Sequence, residues 1–330
     1  MDRKEIILQM CTLEGKGLEI GPSYNPIAPK KDGYDVEILD HLDKDGLIKK
    51  YQNSSVNIEN IEEVDYIWNG EKYSVLTGRK SYYDYIIASN IIEHTYDLIS
   101  FLNDCSEMLV DNGVLILIIP DKKFCFDALR PATGFAKVID SHICESNIHT
   151  AGSIIEHLLN ACKNNDKIAW DSSIETNKLH LVHKIADVKG RVNNHHDSSN
   201  FDDIHNWVFT KSSFELLIYD LSVLDLIDLE IDNSYDTVGS EFFASLKKTT
   251  ESVVPDEDLR LQLALRMNSE ETLSMRELTQ QYDELVQQYS ELARHNNNLN
   301  IQIQSIYNSN TWKIGKKLNR IYRSIIPRRV

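Results

Sequence analysis

The sequence predicts an α/β fold: a mostly parallel sheet covered by helices on both faces, followed by a long helical appendage of different composition. Three observations carry this reading. Short apolar runs alternate with helical patterns through the first half of the chain. One of those runs, GVLILIIP at residues 113–120, is apolar almost throughout, which suits a strand buried on both faces. Glycine then disappears between Gly239 and Gly315, while Glu, Gln, Leu, Arg and Asn take over.

Residues 17–21 (GLEIG) read as a short strand ending in a glycine turn, and residues 36–40 (VEILD) as a second strand ending in an acid. A third is expected near residues 64–68 and a fourth over 83–89 (YDYIIAS). An amphipathic helix over 97–110 then leads into the apolar fifth. Residues 121–210 are rich in His, Asn, Asp and Ser and too long for an ordinary connection; insertions of this size at a strand end commonly build a substrate site or lid. The pattern resumes with a helix over 212–224 and strands over 226–231 and 241–246, so the first domain is expected to span residues 1–248.

Residues 249–274 read as a linker passing into helix. Beyond them Met275, Leu278, Tyr282, Leu285, Tyr289, Leu292, Asn296, Leu299, Ile303 and Ile306 alternate three and four apart, a heptad seam over 275–306. That seam predicts a coiled coil and a homo-oligomer, with Asn296 paired to its copy and setting register; a single long surface helix is the plainer alternative. From Thr311 to Val330 every charged side chain is Lys or Arg, and Trp312, Ile314, Leu318, Ile321, Tyr322 and Ile325 recur at helical spacing. A basic amphipathic tail of this kind suits an anionic membrane surface, or else an acidic protein face.

The formal net charge of -16 argues against nucleic acid as a partner of the bulk surface, since phosphates attract clustered Lys and Arg. The five cysteines are scattered without a C-x-x-C pair, which fits a reducing cytoplasm and gives no zinc framework. No leader or membrane-spanning run is read at the start of the chain, so a cytoplasmic protein is expected. His195-His196-Asp197 reads as a polar loop, because neighbouring histidines point apart and no spaced partner set is evident, so no metal is expected.

Open parallel sheets bind ligands beyond the carboxyl ends of their strands. There Gly21 would let a cofactor approach the backbone closely, and Glu19 could accept a hydrogen bond from a charged amino group. Asp40, about twenty residues on, is placed to accept from two ribose hydroxyls. That spacing would also suit a nicotinamide nucleotide, but the three-glycine phosphate cradle is missing and Pro22 removes a backbone donor. S-adenosylmethionine has a ribose and no phosphate, so it needs no such cradle.

The run Ser89-Asn90-Ile91-Ile92-Glu93-His94, followed by a helix ending in MLVDNG and the strand VLILIIP, resembles the H-x-x-E-H…L-x-P-G-G-x-L stretch of class I methyltransferases. Asn90 stands in place of the usual first histidine, and Asp111-Asn112-Gly113 in place of the Pro-Gly-Gly turn. With GLEIGPSYNP and PDKKFCFDALRP, the chain is similar to methyltransferases encoded with bacterial surface-polysaccharide genes. The resemblance spans residues 17–248. It implies a Rossmann-like seven-stranded sheet whose last strand runs antiparallel, and S-adenosylmethionine as cofactor. It further implies Glu19 and Gly21 at the methionine end, Asp40 at the ribose, Asp65 at the adenine amino group and Ser89 at the pocket edge. Asp65 could equally be a solvated turn residue.

The expected activity is transfer of the sulfonium methyl to a sugar hydroxyl of a surface glycan or sugar-nucleotide precursor, near the inner face of the membrane. Such a hydroxyl needs a general base, and histidine is best matched to that task. The candidates are His205, in the segment Asp203-Ile204-His205-Asn206-Trp207, and His142, with His94 shaping the pocket. Arg130 could fork onto an acidic substrate group, or could pair with an aspartate inside the insertion. A scaffold with a degenerate methyltransferase fold, recruiting glycan-assembly partners, is the competing reading.

Overall fold

The computed structural model describes residues 2–171, 174, 176–193 and 203–325. His195-His196-Asp197 and the last five residues of the tail lie outside them. The chain divides into two compact units, residues 1–274 and 275–330.

The first unit is built on a seven-stranded sheet. Its strands are β1 (Lys16–Ile20), β2 (Asp35–Asp40), β3 (Tyr66–Ile67), β4 (Tyr83–Ser89), β5 (Leu109–Pro120), β8 (Leu229–Val238) and β9 (Glu241–Lys248), in the order β3-β2-β1-β4-β5-β9-β8. The first five run parallel, while β9 is antiparallel to both neighbours, β5 and β8. This is the seven-stranded, last-strand-reversed sheet that the resemblance implies. Between them the insertion carries a small antiparallel pair, β6 (Cys162–Asn164) and β7 (Leu179–Leu181).

Period-two alternation sorts the apolar side chains onto two faces. Leu115, Leu117 and Ile119 of β5 with Ile86 and Ala88 of β4 point to one face. There they meet α4 (Leu98–Met108) and α8 (Lys211–Val223) through Leu102, Cys105, Phe214 and Leu221. Ile116, Ile118, Tyr85 and Ile87 point to the other face, against Ile6, Ile7 and Met10 of α1 (Arg3–Met10). Full burial of each such Ile or Leu contributes about 1.5–3 kcal/mol, so the two faces of β5 anchor both layers.

Helix α1 was not anticipated, although Asp2 and Glu5 form a capping box at its start. It covers a face that the short β1–β2 connection leaves bare: that connection holds only a 3-10 turn at Lys30–Asp32, and its Ile27 and Ala28 pack beside α1. Gly17 shows how closely the strands pack, since a Cβ there would lie 2.2 Å from the Tyr85 ring.

The first unit extends past Lys248, where the sequence closed the domain, to Ser274. The physical reason lies in the start of α9 (Glu257–Asn308). Arg260 forks onto Asp220 of α8 at 2.8 and 2.9 Å, Arg266 reaches Glu215 at 2.9 Å, and Glu270 pairs with Lys123.

The second unit continues α9, breaks at Ser309, and resumes as α10 (Asn310–Ile325). Ser309 Oγ accepts from Trp312 N–H at 3.2 Å and so caps the new helix. Along the seam Tyr282, Tyr289, Leu292, Leu299, Ile303 and Ile306 are exposed in the single chain. The side chains of Met275 and Leu278 lie outside the described residues. Asn296 accepts from Asn300 within its own helix at 3.3 Å. No helix among the described residues is long and apolar enough to cross a membrane.

Candidate active site

The carboxyl edge of the sheet carries two neighbouring groups of side chains. The first lies at the ends of β1 and β2. Glu19 is buried; its two oxygens accept from Ile27 N–H at 2.7 Å and Ala28 N–H at 3.1 Å, which fixes the course of the loop after β1. Burial pushes its pKa up to about 7, against the pull of those two backbone donors. Asp40 is equally buried. One of its oxygens accepts from Ser23 N–H at 3.0 Å and Ser23 O–H at 3.3 Å, the other from His41 N–H at 2.8 Å and His41 Nδ1 at 2.6 Å.

Ser23 sits at φ 49°, in the left-handed region that non-glycine residues seldom adopt. Its strained backbone thus places a hydroxyl and an N–H on one Asp40 oxygen. Gly21, at φ 66°, needs its missing side chain for a different reason: a Cβ would lie 2.5 Å from Ile91 Cδ1. The close approach there is between two loops of the protein.

Asp65 departs from its expected place. It precedes β3 and lies level with Ile38, whose N–H it takes at 2.7 Å, while its carboxylate also binds the Lys30 ammonium. Two donors on a carboxylate short of the strand end make it a tie between β2, β3 and the β1–β2 loop, so the adenine role is not supported. Ser89 is the last residue of β4, at the carboxyl edge of the sheet, where its Oγ accepts from Arg3 at 3.4 Å. Arg3 also pairs with Glu241 at the start of β9, and Glu241 in turn takes Asn90 Nδ2 at 2.9 Å.

The second group is centred on Glu93, in the 3-10 turn Ile92–His94 just after β4. The segment 203–207 docks onto this turn. Asn206 N–H and Trp207 N–H both donate to the Glu93 carbonyl at 2.7 and 3.1 Å, and the Trp207 indole donates to Thr95 Oγ1 at 2.9 Å. Docking brings His205 against His94, with ring centroids 4.9 Å apart, and sets Nε2 of the two imidazoles 3.9 and 3.8 Å from Glu93 Oε1.

Each imidazole is oriented through its other nitrogen. His205 Nδ1 donates to Asp127 Oδ2 at 2.5 Å, and Asp127 Oδ1 accepts from Arg130 Nη1 at 2.8 Å. His94 Nδ1 faces the Ile204 carbonyl at 3.1 Å; a carbonyl can only accept, so Nδ1 carries the proton. Burial alone would raise the Asp127 carboxyl, yet His205 and Arg130 together hold it below the usual carboxylate range. Glu93 is displaced upward by burial, the two histidines only partly offsetting it.

For Arg130 the structure favours the pairing with an aspartate of the insertion over the substrate fork: wholly buried, it pairs with Asp127 and donates also to the His205 carbonyl at 2.7 Å and to Glu156 at 3.1 Å. It braces the Asp127–His205 pair and has no free fork for an acidic substrate. His142 lies on α5 (Phe135–Ile143) and bonds Asp97, the N-cap of α4, at 2.9 Å. It joins two helices instead of joining the His205 cluster. Sequence reasoning quoted Glu93 and Asp127 within longer motifs but gave neither a role; the signal available was an acid beside His94 and another three residues before Arg130.

No family model matches the chain, and no curated protein matches it by sequence. Solved structures do match. An S-adenosylmethionine-dependent methyltransferase from Methanosarcina mazei is 11% identical over 76% of this chain and 100% of its own, with a TM-score of 0.39. One from Listeria monocytogenes is 10% identical over 74% and 97%, with a TM-score of 0.38. A sarcosine dimethylglycine methyltransferase from Galdieria sulphuraria is 18% identical, but the match covers 38% of this chain and about half (48%) of that one, with a TM-score of 0.26. Likenesses this distant carry no argument about activity.

Proposed function

We propose that the chain is an S-adenosylmethionine-dependent methyltransferase acting on a hydroxyl of a surface glycan or its sugar-nucleotide precursor. The observation that supports it most is the pairing of two centres on one sheet edge. Asp40 ends β2 with a carboxylate already holding a hydroxyl donor, and beside it stands a buried Asp127–His205 pair directed at Glu93. The first centre suits a ribose. The second suits the proton of a weakly acidic acceptor: Asp127 holds His205 in the tautomer that leaves Nε2 unprotonated, as a general base requires.

A sulfonium methyl is already electrophilic, so what the protein must add is alignment and proton removal; alignment alone can supply several kcal/mol. His94 shapes the acceptor side of the pocket. The seam on α9 is read as the contact of a homo-oligomer, and the basic face of α10 as the contact with an anionic membrane surface or an acidic partner.

The competing scaffold reading has one observation in its favour: both Glu19 and Asp40 are occupied by donors of their own loops. Calorimetric titration with S-adenosylmethionine separates the two. Binding is expected, and Asp40→Ala should weaken it by about 1.5–3 kcal/mol through loss of charge-assisted hydrogen bonds to the ribose. A folded wild-type protein with no heat of binding would leave the scaffold standing.

A further inference from the structure

Three side chains, Glu93, His94 and His205, converge at the Glu93 turn with no hydrogen bond from either Nε2 to the carboxylate. Nδ1 of each imidazole is already bonded on its far side, His205 to Asp127 and His94 to the Ile204 carbonyl, with the Asp203 carboxylate at 3.2 Å as well. Both Nε2 lone pairs therefore face the Glu93 carboxylate. That carboxylate is buried, and neither of its oxygens has a hydrogen-bond donor from another residue. A proton shared between Glu93 and one Nε2 would draw those atoms to about 3 Å; at 3.8 and 3.9 Å no such bond is made, and an unpartnered buried carboxylate between two imidazoles suits a cation.

The geometry points to a divalent transition-metal site formed by Glu93, His94 and His205. The candidate ligand atoms all lie within 4.8 Å of one another. Ligands about 2.1 Å from an ion stand roughly 3.0–3.5 Å apart, so the observed 3.8 and 3.9 Å separations from Glu93 Oε1 need to close by about half an ångström. The surroundings match a metal site in a further respect. Metal-bound histidines usually donate their other ring N–H to a carboxylate or a backbone carbonyl, and here His205 does the first and His94 the second. Two imidazoles and one carboxylate favour first-row ions such as Zn²⁺, Fe²⁺ or Co²⁺ over Mg²⁺ or Ca²⁺. Three protein ligands leave positions open for water or for the hydroxyl oxygen of an acceptor.

The use of the ion in methyl transfer rests on the function proposed above; its binding does not. An ion at this point lowers the pKa of a coordinated hydroxyl, whose O–H bond breaks with its proton passing to water while the oxygen stays on the metal. With the ion bound, Nε2 of His205 is a ligand; without it, the same unprotonated nitrogen is the base proposed above.

The test is a titration of the chelator-treated full-length protein with Co²⁺, read by visible absorption. One equivalent per chain with d–d bands, displaced by Zn²⁺, is expected. Glu93→Gln and His205→Ala should lose the bands, and Asp127→Asn should weaken binding by roughly tenfold to a hundredfold by releasing His205. Because Glu93 and His205 are buried, the partly exposed His94→Ala carries the test should those variants fail to fold, and it too must lose the bands. His142→Ala should bind as wild type. Absence of bands from the wild-type protein, or wild-type affinity in folded Glu93→Gln or His94→Ala, overturns the site. Titration with S-adenosylmethionine is scored separately, so failure of the metal site and failure of the methyltransferase reading are told apart.

Discussion

Replacing Asp127 by asparagine tests how the buried cluster is held together. The carboxylate is 1% exposed and takes Arg130 Nη1 at 2.8 Å on one oxygen and His205 Nδ1 at 2.5 Å on the other. Asparagine keeps the shape but offers one acceptor and one donor. If its oxygen stays on Arg130, its NH₂ meets the His205 N–H, and the imidazole must change tautomer and turn a proton toward Glu93. Arg130 meanwhile remains buried with Glu156 as its one carboxylate partner. Removing one partner of a buried ion pair commonly costs about 3–5 kcal/mol; with Glu156 retained, we expect about 3 kcal/mol. Urea unfolding of a chain ending at Ser274, the limit of the first unit, measures it. Asp203→Asn, whose carboxylate is exposed, is the comparison and should change stability by less than about 0.5 kcal/mol. The pH dependence has a definite sign. Asp127 is held below its ordinary value, so its contribution is present above an unfolded pKa of about 3.9 and is lost as pH falls through the folded one. The gap between wild type and Asp127→Asn must narrow toward acid. A variant within about 1 kcal/mol of wild type at pH 7 would refute the account of the cluster.

Glu19 should show the opposite sign. Its folded pKa of about 7 lies above the ordinary 4.5, so its contribution is full below pH 4.5 and is lost as pH rises through 7; at 1.36 kcal/mol per pH unit that is about 3 kcal/mol. Unfolding free energies of wild type and Glu19→Gln should therefore diverge across that window, and parallel profiles would remove the burial argument. The full-length protein is expected to be a parallel oligomer, most simply a dimer, and the chain ending at Ser274 a monomer; light scattering that finds both monomeric at micromolar concentration defeats the coiled coil. Full-length protein should bind anionic liposomes in a salt-sensitive way, each basic side chain near the surface contributing about 1 kcal/mol. Sedimentation unchanged by deletion after Asn310 would remove the membrane contact.

The sheet was legible because a parallel strand buried on both faces has no alternative to a continuous apolar run, and residues 113–120 show one. β8 was harder: it begins at Leu229 and runs to Val238, beyond the 226–231 read from sequence, because its outer half is polar and partly exposed. Glu19 and Asp40 could be placed at strand ends from spacing alone. Spacing could not show that the β1–β2 loop folds back onto both carboxylates, since Ser23 reaches Asp40 only through a left-handed backbone.

For the histidines the division is sharper. His94, His142 and His205 looked alike as residues, and local sequence has no term that brings position 205 to position 93. What separates them is the docking of residues 203–207 onto the turn after β4, together with a carboxylate, Asp127, contributed from the start of the insertion. Arg130 shows the same limit, for its charge is visible in sequence and its burial is not. The sequence by itself determined the strand pattern, the acids at the strand ends and the change to a helical, then basic, appendage, because each follows from local periodicity and charge. Only the tertiary structure decided which acids among the described residues are already satisfied, and that Glu93 is left buried among imidazoles without a donor from another residue, because solvation and pairing depend on residues distant along the chain.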